Sequence, residues 1–170
     1  MIRAIPDHPK PGIIFRDLTT LMGNAEAFRA TCVALADSYR SAGVTHVAGI
    51  EARGFIFGAA VADRLGVAFV PIRKGGKLPA GTIARSYELE YGHDTLEVHS
   101  DALHPGTRVL LIDDLLATGG TACASVELLR ETGSDVVGSG FVVELEGLGG
   151  RERLKGLGVD VLALTGFGED

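Results

Sequence analysis

The chain has 170 residues, 46% of them apolar, with 24 glycines and a net charge of −6. That length suits one domain able to bury about two-thirds of its unfolded surface, and glycine at roughly twice its usual ~7% predicts many tight turns. An acidic chain excludes a broad face for nucleic acid or anionic membrane, since both attract basic surfaces, so any polyanion site must be local.

No apolar run approaches the ~20 residues that cross a bilayer, and Met1 to Pro6 lacks the apolar core of a signal peptide. Cys32 and Cys123 fall in stretches that read as helix, and the sole asparagine, Asn24, has no glycosylation sequon. A reduced, cytoplasmic protein is the expectation.

In chain order, Phe28, Cys32, Leu35, Ala36 and Tyr39 recur at helical spacing behind Asn24, a candidate N-cap, with Gly43 as a stop. His46 to Ile50 predicts a buried strand, Gly54 to Leu65 a helix and Ala68 to Ile72 a second strand. Ser86 to Tyr91 and Thr95 to His99 alternate apolar and polar residues around Gly92-His93-Asp94, which predicts a solvent-facing hairpin projecting from the body. Buried runs then return: a strand over Arg108 to Ile112, a helix from about Thr121 to Thr132 stopped by Gly133, a strand over Val136 to Val143 and a last one near Val159 to Leu164. Strands of continuous apolar character alternating with helices predict an α/β fold, a mostly parallel sheet flanked by helices. No repeat, low-complexity tract or linker divides the chain, so residues 1–170 are expected to form a single domain.

Open α/β sheets bind ligands beyond the carboxyl ends of their strands. Glu51-Ala52-Arg53-Gly54, Arg73-Lys74-Gly75-Gly76-Lys77, Asp113 to Thr121 and Glu144-Leu145 all follow predicted strands, and four loops should converge on one crevice. Thr118-Gly119-Gly120-Thr121 opens a helix whose first amides lack partners, which favours a phosphate; alone, it is also what a glycine-rich turn capped by threonine looks like. Asp113 and Asp114 directly before it repel each other and gain nothing from the core, and a ligand with hydroxyls would account for them. A ribose 5-phosphate satisfies both features. Neither Gly-x-x-x-x-Gly-Lys-Ser/Thr nor Gly-x-Gly-x-x-Gly after a strand occurs. Arg53, Arg73, Lys74 and Lys77 suit a second, more highly charged anion such as diphosphate, although Arg73 to Lys77 is also compatible with a solvated basic turn.

Val109 to Thr121, read as Val-Leu-Leu-Ile-Asp-Asp-Leu-Leu-Ala-Thr-Gly-Gly-Thr, resembles the signature of type I phosphoribosyltransferases. Phe15-Arg16-Asp17, Glu51 to Gly58, and Arg73 to Pro79 with Ser86 to Gly92 are similar to the adenine-specific members of that family, so the resemblance runs from about Ile5 to Leu154. It implies the type I fold with a hood over residues 1–25 and a flexible loop and hairpin lid over 73–100. It also implies transfer of the phosphoribosyl group of 5-phosphoribosyl 1-diphosphate to adenine, giving AMP and diphosphate in purine salvage by a homodimer. Magnesium would be held mainly by the diphosphate substrate and water, with no protein ligand.

Carried over by position, Ala117, Thr118, Gly119, Gly120 and Thr121 would hold the 5-phosphate, and Asp113 and Asp114 the ribose hydroxyls. Arg53 and Lys77 would hold the diphosphate, with Arg73 and Lys74 nearby. Ile14, Phe15 and Arg16 would cover adenine, with Leu145 on its other face, and Glu90 would manage a proton on the purine ring. On residue type alone, an ordinary core aromatic is a lesser alternative for Phe15, while Glu90 is equally a solvated strand carboxylate. The segment from Leu157 to Asp170 has no counterpart in the resemblance, and the five histidines show no metal spacing.

Departure of diphosphate leaves positive charge on the ribose; cations would stabilise the leaving group and the aspartates the oxocarbenium, with the hairpin excluding water. An enzyme for a 6-oxopurine shares the phosphate loop, but the match at Phe15-Arg16-Asp17 and Glu90 favours adenine. A regulator that senses the activated ribose without turnover would need a DNA-binding segment, for which an acidic chain with its sheet pattern beginning after about residue 25 leaves little room.

Overall fold

The computed structural model describes residues 1–88 and 92–168. In chain order the elements are β1 (Arg3–Ile5), β2 (Phe15–Asp17), α1 (Thr19–Met22), α2 (Ala25–Asp37), β3 (His46–Ile50), α3 (Arg53–Leu65), β4 (Ala68–Lys74), β5 (Thr82–Glu88), β6 (His93–His99), β7 (Arg108–Leu116), α4 (Gly120–Glu131), β8 (Asp135–Leu145), α5 (Gly150–Gly156) and β9 (Val161–Phe167). β1 and β2 form a two-stranded antiparallel ribbon, and the other strands form one sheet in the order β5-β6-β4-β3-β7-β8-β9. From β4 to β9 neighbours run parallel, while β6 joins β4 and β5 antiparallel.

The apolar strands are continuous because both of their faces are covered. Val109 and Leu111 of β7 pack with Ala48, Ile50 and Leu128 in one layer, while Leu110 and Ile112 pack with Val47, Leu35 and Phe57 in the other. α4 therefore covers one face and α2 with α3 the opposite one. Each fully buried leucine, isoleucine or phenylalanine contributes about 1.5–3 kcal/mol, which makes β7 the best-anchored strand and a rigid base for whatever its end carries.

Several boundaries differ from the sequence reading, each for a physical reason. Asn24 does cap α2, accepting from the Ala27 amide at 2.9 Å, but the helix ends at Asp37 rather than near Gly43. Tyr39 turns inward to donate to the Ser139 carbonyl at 2.9 Å, and the chain there tightens into three-residue turns. β7 continues past Ile112 through Asp113 and Asp114 to Leu116, because β8 offers partners as far as Glu144. Likewise Arg73 and Lys74 are the last residues of β4, paired with Glu97 and Leu96 of β6, and not the start of a free loop.

The hairpin is longer than its alternation suggested and faces solvent on one side only. Leu96 and Val98 are buried, and Ile83 and Tyr87 pack against the same core. Arg85 forms ion pairs with Glu127 at 2.7 Å and Glu131 at 2.5 Å, which tie β5 to α4. Toward its end the chain adds α5, for which no expectation was formed, and β9, which lies two to three residues beyond the strand expected near Val159 to Leu164.

Candidate active site

Beyond the carboxyl ends of β3 and β7 lies a crevice of about 770 Å³. Its lining includes Glu51, Arg53, Lys74, Asp113, Asp114 and the whole of Ala117 to Thr121. Three of the four expected loops therefore meet there. The fourth does not: Glu144 is held by Arg151 of α5, whose Nη1 donates to the Val161 carbonyl at 2.7 Å.

Ala117 to Gly119 carry the chain from β7 into α4. Gly119 has φ of 80°, a left-handed conformation, and a β-carbon there would stand 2.8 Å from the Cα of Gly150, so only glycine fits. No side chain caps the helix. Its first amides and the positive end of its dipole are thus left to an anion. Thr121 Oγ1 lies 3.2 Å from the Tyr87 hydroxyl, and Arg153 donates to the Thr118 carbonyl at 3.0 Å.

Asp114 is 5% exposed and is paired with the Arg53 guanidinium. Asp113 accepts from the Asp114 amide at 2.9 Å and abuts the start of α3, where a β-carbon on Gly54 would come within 2.6 Å of its Oδ1. Burial, and then the charge of Asp114, hold the Asp113 carboxyl well above the usual carboxylate range.

Across the crevice the cations are already engaged. Arg73 donates to Glu51 from Nε at 3.3 Å and Nη2 at 3.2 Å, and to the Lys77 carbonyl from Nη1 at 3.1 Å. Glu51 also accepts from the Lys74 amide at 3.0 Å, and these bonds, with Arg73 first, hold its carboxyl below its ordinary value. Lys74 Nζ lies 3.2 Å from Asp94, which raises the lysine's pKa. The Glu51–Ala52 peptide is cis. Arg73 and Lys77, expected to face diphosphate, are not among the residues that line the crevice: β4 extends through Arg73 and turns its guanidinium onto Glu51, and Lys77 is exposed.

Ile14, Phe15, Arg16 and Leu145, expected to enclose the base, are not among the residues that line the crevice. Phe15 is a strand residue of the ribbon; its ring packs edge-on to His8 and stands 5.8 Å from the Arg53 guanidinium carbon. Arg16 stacks 4.0 Å over the ring of Phe167, which pairs across the sheet with Leu145. The final strand, in the segment that has no counterpart in the resemblance, thus meets the hood. Asp17 fastens the ribbon: the Thr19 amide, the Arg3 guanidinium and the Thr19 hydroxyl all donate to it and lower its pKa to about 2. Glu90 lies outside the described residues.

Tyr87, Asp94 and Arg153 also line the crevice and escaped the sequence reading. Tyr87 was legible only as one apolar position in an alternating hairpin, and Arg153 sits on a seven-residue helix with little periodic signal. Among the described residues no cluster of three or more histidine, cysteine, aspartate or glutamate side chains is placed to hold a metal, and no helix is long and apolar enough to cross a membrane.

Residues 23–161 match the phosphoribosyl transferase domain family. The adenine phosphoribosyltransferase of Mesorhizobium japonicum is 57% identical over 166 residues, 98% of this chain and 92% of the relative. The crystal structure of adenine phosphoribosyltransferase from Thermoanaerobacter pseudethanolicus superimposes with a TM-score of 0.94 at 50% identity, covering 98% of this chain and 96% of that one. That of the Giardia lamblia enzyme complexed with 9-deazaadenine gives a TM-score of 0.92 at 38% identity, over 98% and 94% of the two chains.

Proposed function

The chain belongs to the adenine phosphoribosyltransferase family, and from that premise we propose how its crevice moves the phosphoribosyl group of 5-phosphoribosyl 1-diphosphate onto adenine, giving AMP and diphosphate. One observation carries the proposal: an uncapped amide cradle at Gly119 directly follows a carboxyl pair on the best-anchored strand.

In this reading the 5-phosphate takes the amides of Ala117 to Thr121, and the ribose hydroxyls donate to Asp113 and Asp114. Such donors favour the ionised form of a carboxyl, so sugar binding counters the upward shift that burial gives Asp113 and favours its anion. The resulting anion faces the anomeric carbon as positive charge grows on it. Arg53 bridges the two halves, because it holds Asp114 while its guanidinium reaches toward the diphosphate. Lys74 turns from Asp94 to the same anion. Arg73 acts on it indirectly, by fixing the Glu51 turn, and Lys77 supplies long-range charge from outside.

Magnesium suits this donor set. The ion would keep several waters and be held mainly by the substrate's phosphates, with the carboxylates of Asp113 and Asp114 beside Glu51 and Asp94 in the crevice lining. When bound with the diphosphate, it would supply neutralisation of the departing charge. Adenine packs between the hood residues Ile14, Phe15 and Arg16 and the Leu145 edge, and Glu90 handles the purine proton, so Glu90→Ala is expected to lower turnover more than it weakens binding. Residues 1–170 are read as one domain acting as a homodimer in the cytoplasm; Cys32 and Cys123, both free and buried, suit a reducing compartment.

Diphosphate release measured with adenine, hypoxanthine, guanine and xanthine tests the base assignment. Adenine should be preferred strongly, and preference for a 6-oxopurine would overturn it. A crystal with AMP should place its phosphate against Gly119; a phosphate lying elsewhere ends the proposed placement.

A further inference from the structure

Among the described residues, three cations line the crevice: Arg53, Lys74 and Arg153. The first two are paired with Asp114 and Asp94. Arg153 has no carboxylate partner among the described residues; its Nη1 donates to the Thr118 carbonyl at 3.0 Å. The same nitrogen stands 4.0 Å from the position of a β-carbon on Gly120. A guanidinium with no carboxylate partner among the described residues therefore flanks the residues whose amides open α4.

The charge at that point does not balance without it. A phosphate monoester carries about −1.5 to −2 charges near pH 7, whereas a helix terminus supplies roughly half a positive charge, and the chain as a whole is acidic at −6. Arg153 is also well positioned to hold still. The next residue, Leu154, is completely buried, and α5 begins against the phosphate loop, with the Gly150 carbonyl 3.1 Å from where a Gly119 β-carbon would stand.

We infer that Arg153 is a binding residue for the 5-phosphate: its guanidinium neutralises the dianion from the α5 side, and its bond to Thr118 keeps that carbonyl turned away from the anion. The inference rests on the 5-phosphate lying at Thr118 to Thr121. It distinguishes substrates by their phosphate and is indifferent to the base.

The test uses the full chain with Arg153→Gln, Arg153→Ala and Arg153→Lys, measuring affinity for AMP and for adenosine by calorimetry or competition, with the KM for 5-phosphoribosyl 1-diphosphate. Glutamine can still donate to the Thr118 carbonyl but carries no charge. Arg153→Gln and Arg153→Ala are both expected to weaken AMP and raise that KM about tenfold to a hundredfold, the range of one charge-assisted hydrogen bond. Adenosine affinity and kcat should change far less, and Arg153→Lys should recover part of the loss. Unchanged AMP affinity in Arg153→Gln, or equal losses for AMP and adenosine, would overturn the inference. If instead the unaltered protein bound AMP no better than adenosine, the phosphate placement itself would be wrong, which separates the two failures.

Discussion

The two sides of the crevice solve anion binding by different means. On the α4 side an anion would meet mainly backbone, uncapped amides, a helix dipole and a glycine held at positive φ against Gly150, with the inferred Arg153 beside them. On the β3 and β4 side the cations that line the crevice are side chains already bound to carboxylates, Arg53 to Asp114 and Lys74 to Asp94, with Arg73 set behind them on Glu51. The first side is built before the substrate arrives. The second must trade partners, and its gain is only the difference between a carboxylate and a diphosphate. Under the proposed function the arrangement separates an anchor for the end of the substrate that never reacts from a clamp for the end that leaves and must later be released.

Breaking the anchor should have the largest effect. Gly119→Ala forces a β-carbon into the backbone of Gly150, and a shift of about 1 Å in a positioning group costs on the order of a hundredfold in rate. We expect kcat/KM to fall at least that far and AMP to lose its stabilising effect in thermal melts; retention of a tenth of the activity would show that the cradle is not the anchor. Next comes Arg53→Ala, which leaves Asp114 buried without its cation. Because the guanidinium is itself 47% exposed, the stability cost is expected near 1–3 kcal/mol, below the range for a fully buried pair, with kcat/KM down about tenfold to a hundredfold.

Arg73→Ala should act more gently, through the turn that Glu51 holds. A rise of about tenfold in the KM for 5-phosphoribosyl 1-diphosphate, with kcat little changed, is the signature of lost ground-state positioning. An equal fall in kcat would instead place Arg73 on the leaving group.

The smallest effect concerns stability. Asp113 has a raised pKa when folded, so between the unfolded value of about 3.9 and the folded one the native state binds more protons, and stability declines as pH rises through that window. Asp113→Asn removes the penalty. The ligand-free variant should melt higher than the parent at pH 8, and the advantage should vanish near pH 4 while activity is lost. A melting difference independent of pH would assign the proton elsewhere.

Much of this was legible in the sequence, and the parts that were not share a cause. Strands β3, β4 and β7 announced themselves because burial on both faces demands unbroken apolar runs, and Asp113 to Thr121 stood out because acids, glycines and threonines follow such a run. The end of β7 was hidden by the same acids: hydrogen bonding to β8 continues through Asp113 and Asp114 whatever their polarity. Arg73 was read as a diphosphate ligand since sequence order shows a cation after a strand but not the carboxylate, 22 positions earlier, that claims it. Arg153 and Tyr87 were missed for the complementary reason, since their value comes from contacts with Thr118 and Thr121 that no spacing encodes. The hood ribbon has two strands of three residues each, too short for periodicity.

Among the described residues the ribbon's strands pair with each other and not with the main sheet; Asp17 ties Arg3 to the start of α1, and Ile2 packed on the core and Arg16 stacked on Phe167 join the ribbon to the body. The part proposed to read the nucleobase is therefore a detachable module, separate from the sheet that grips the sugar. Descendants of such a fold could acquire a taste for a different base by rewriting a short ribbon, and an engineer could graft one hood for another, without renegotiating the chemistry at the anomeric carbon.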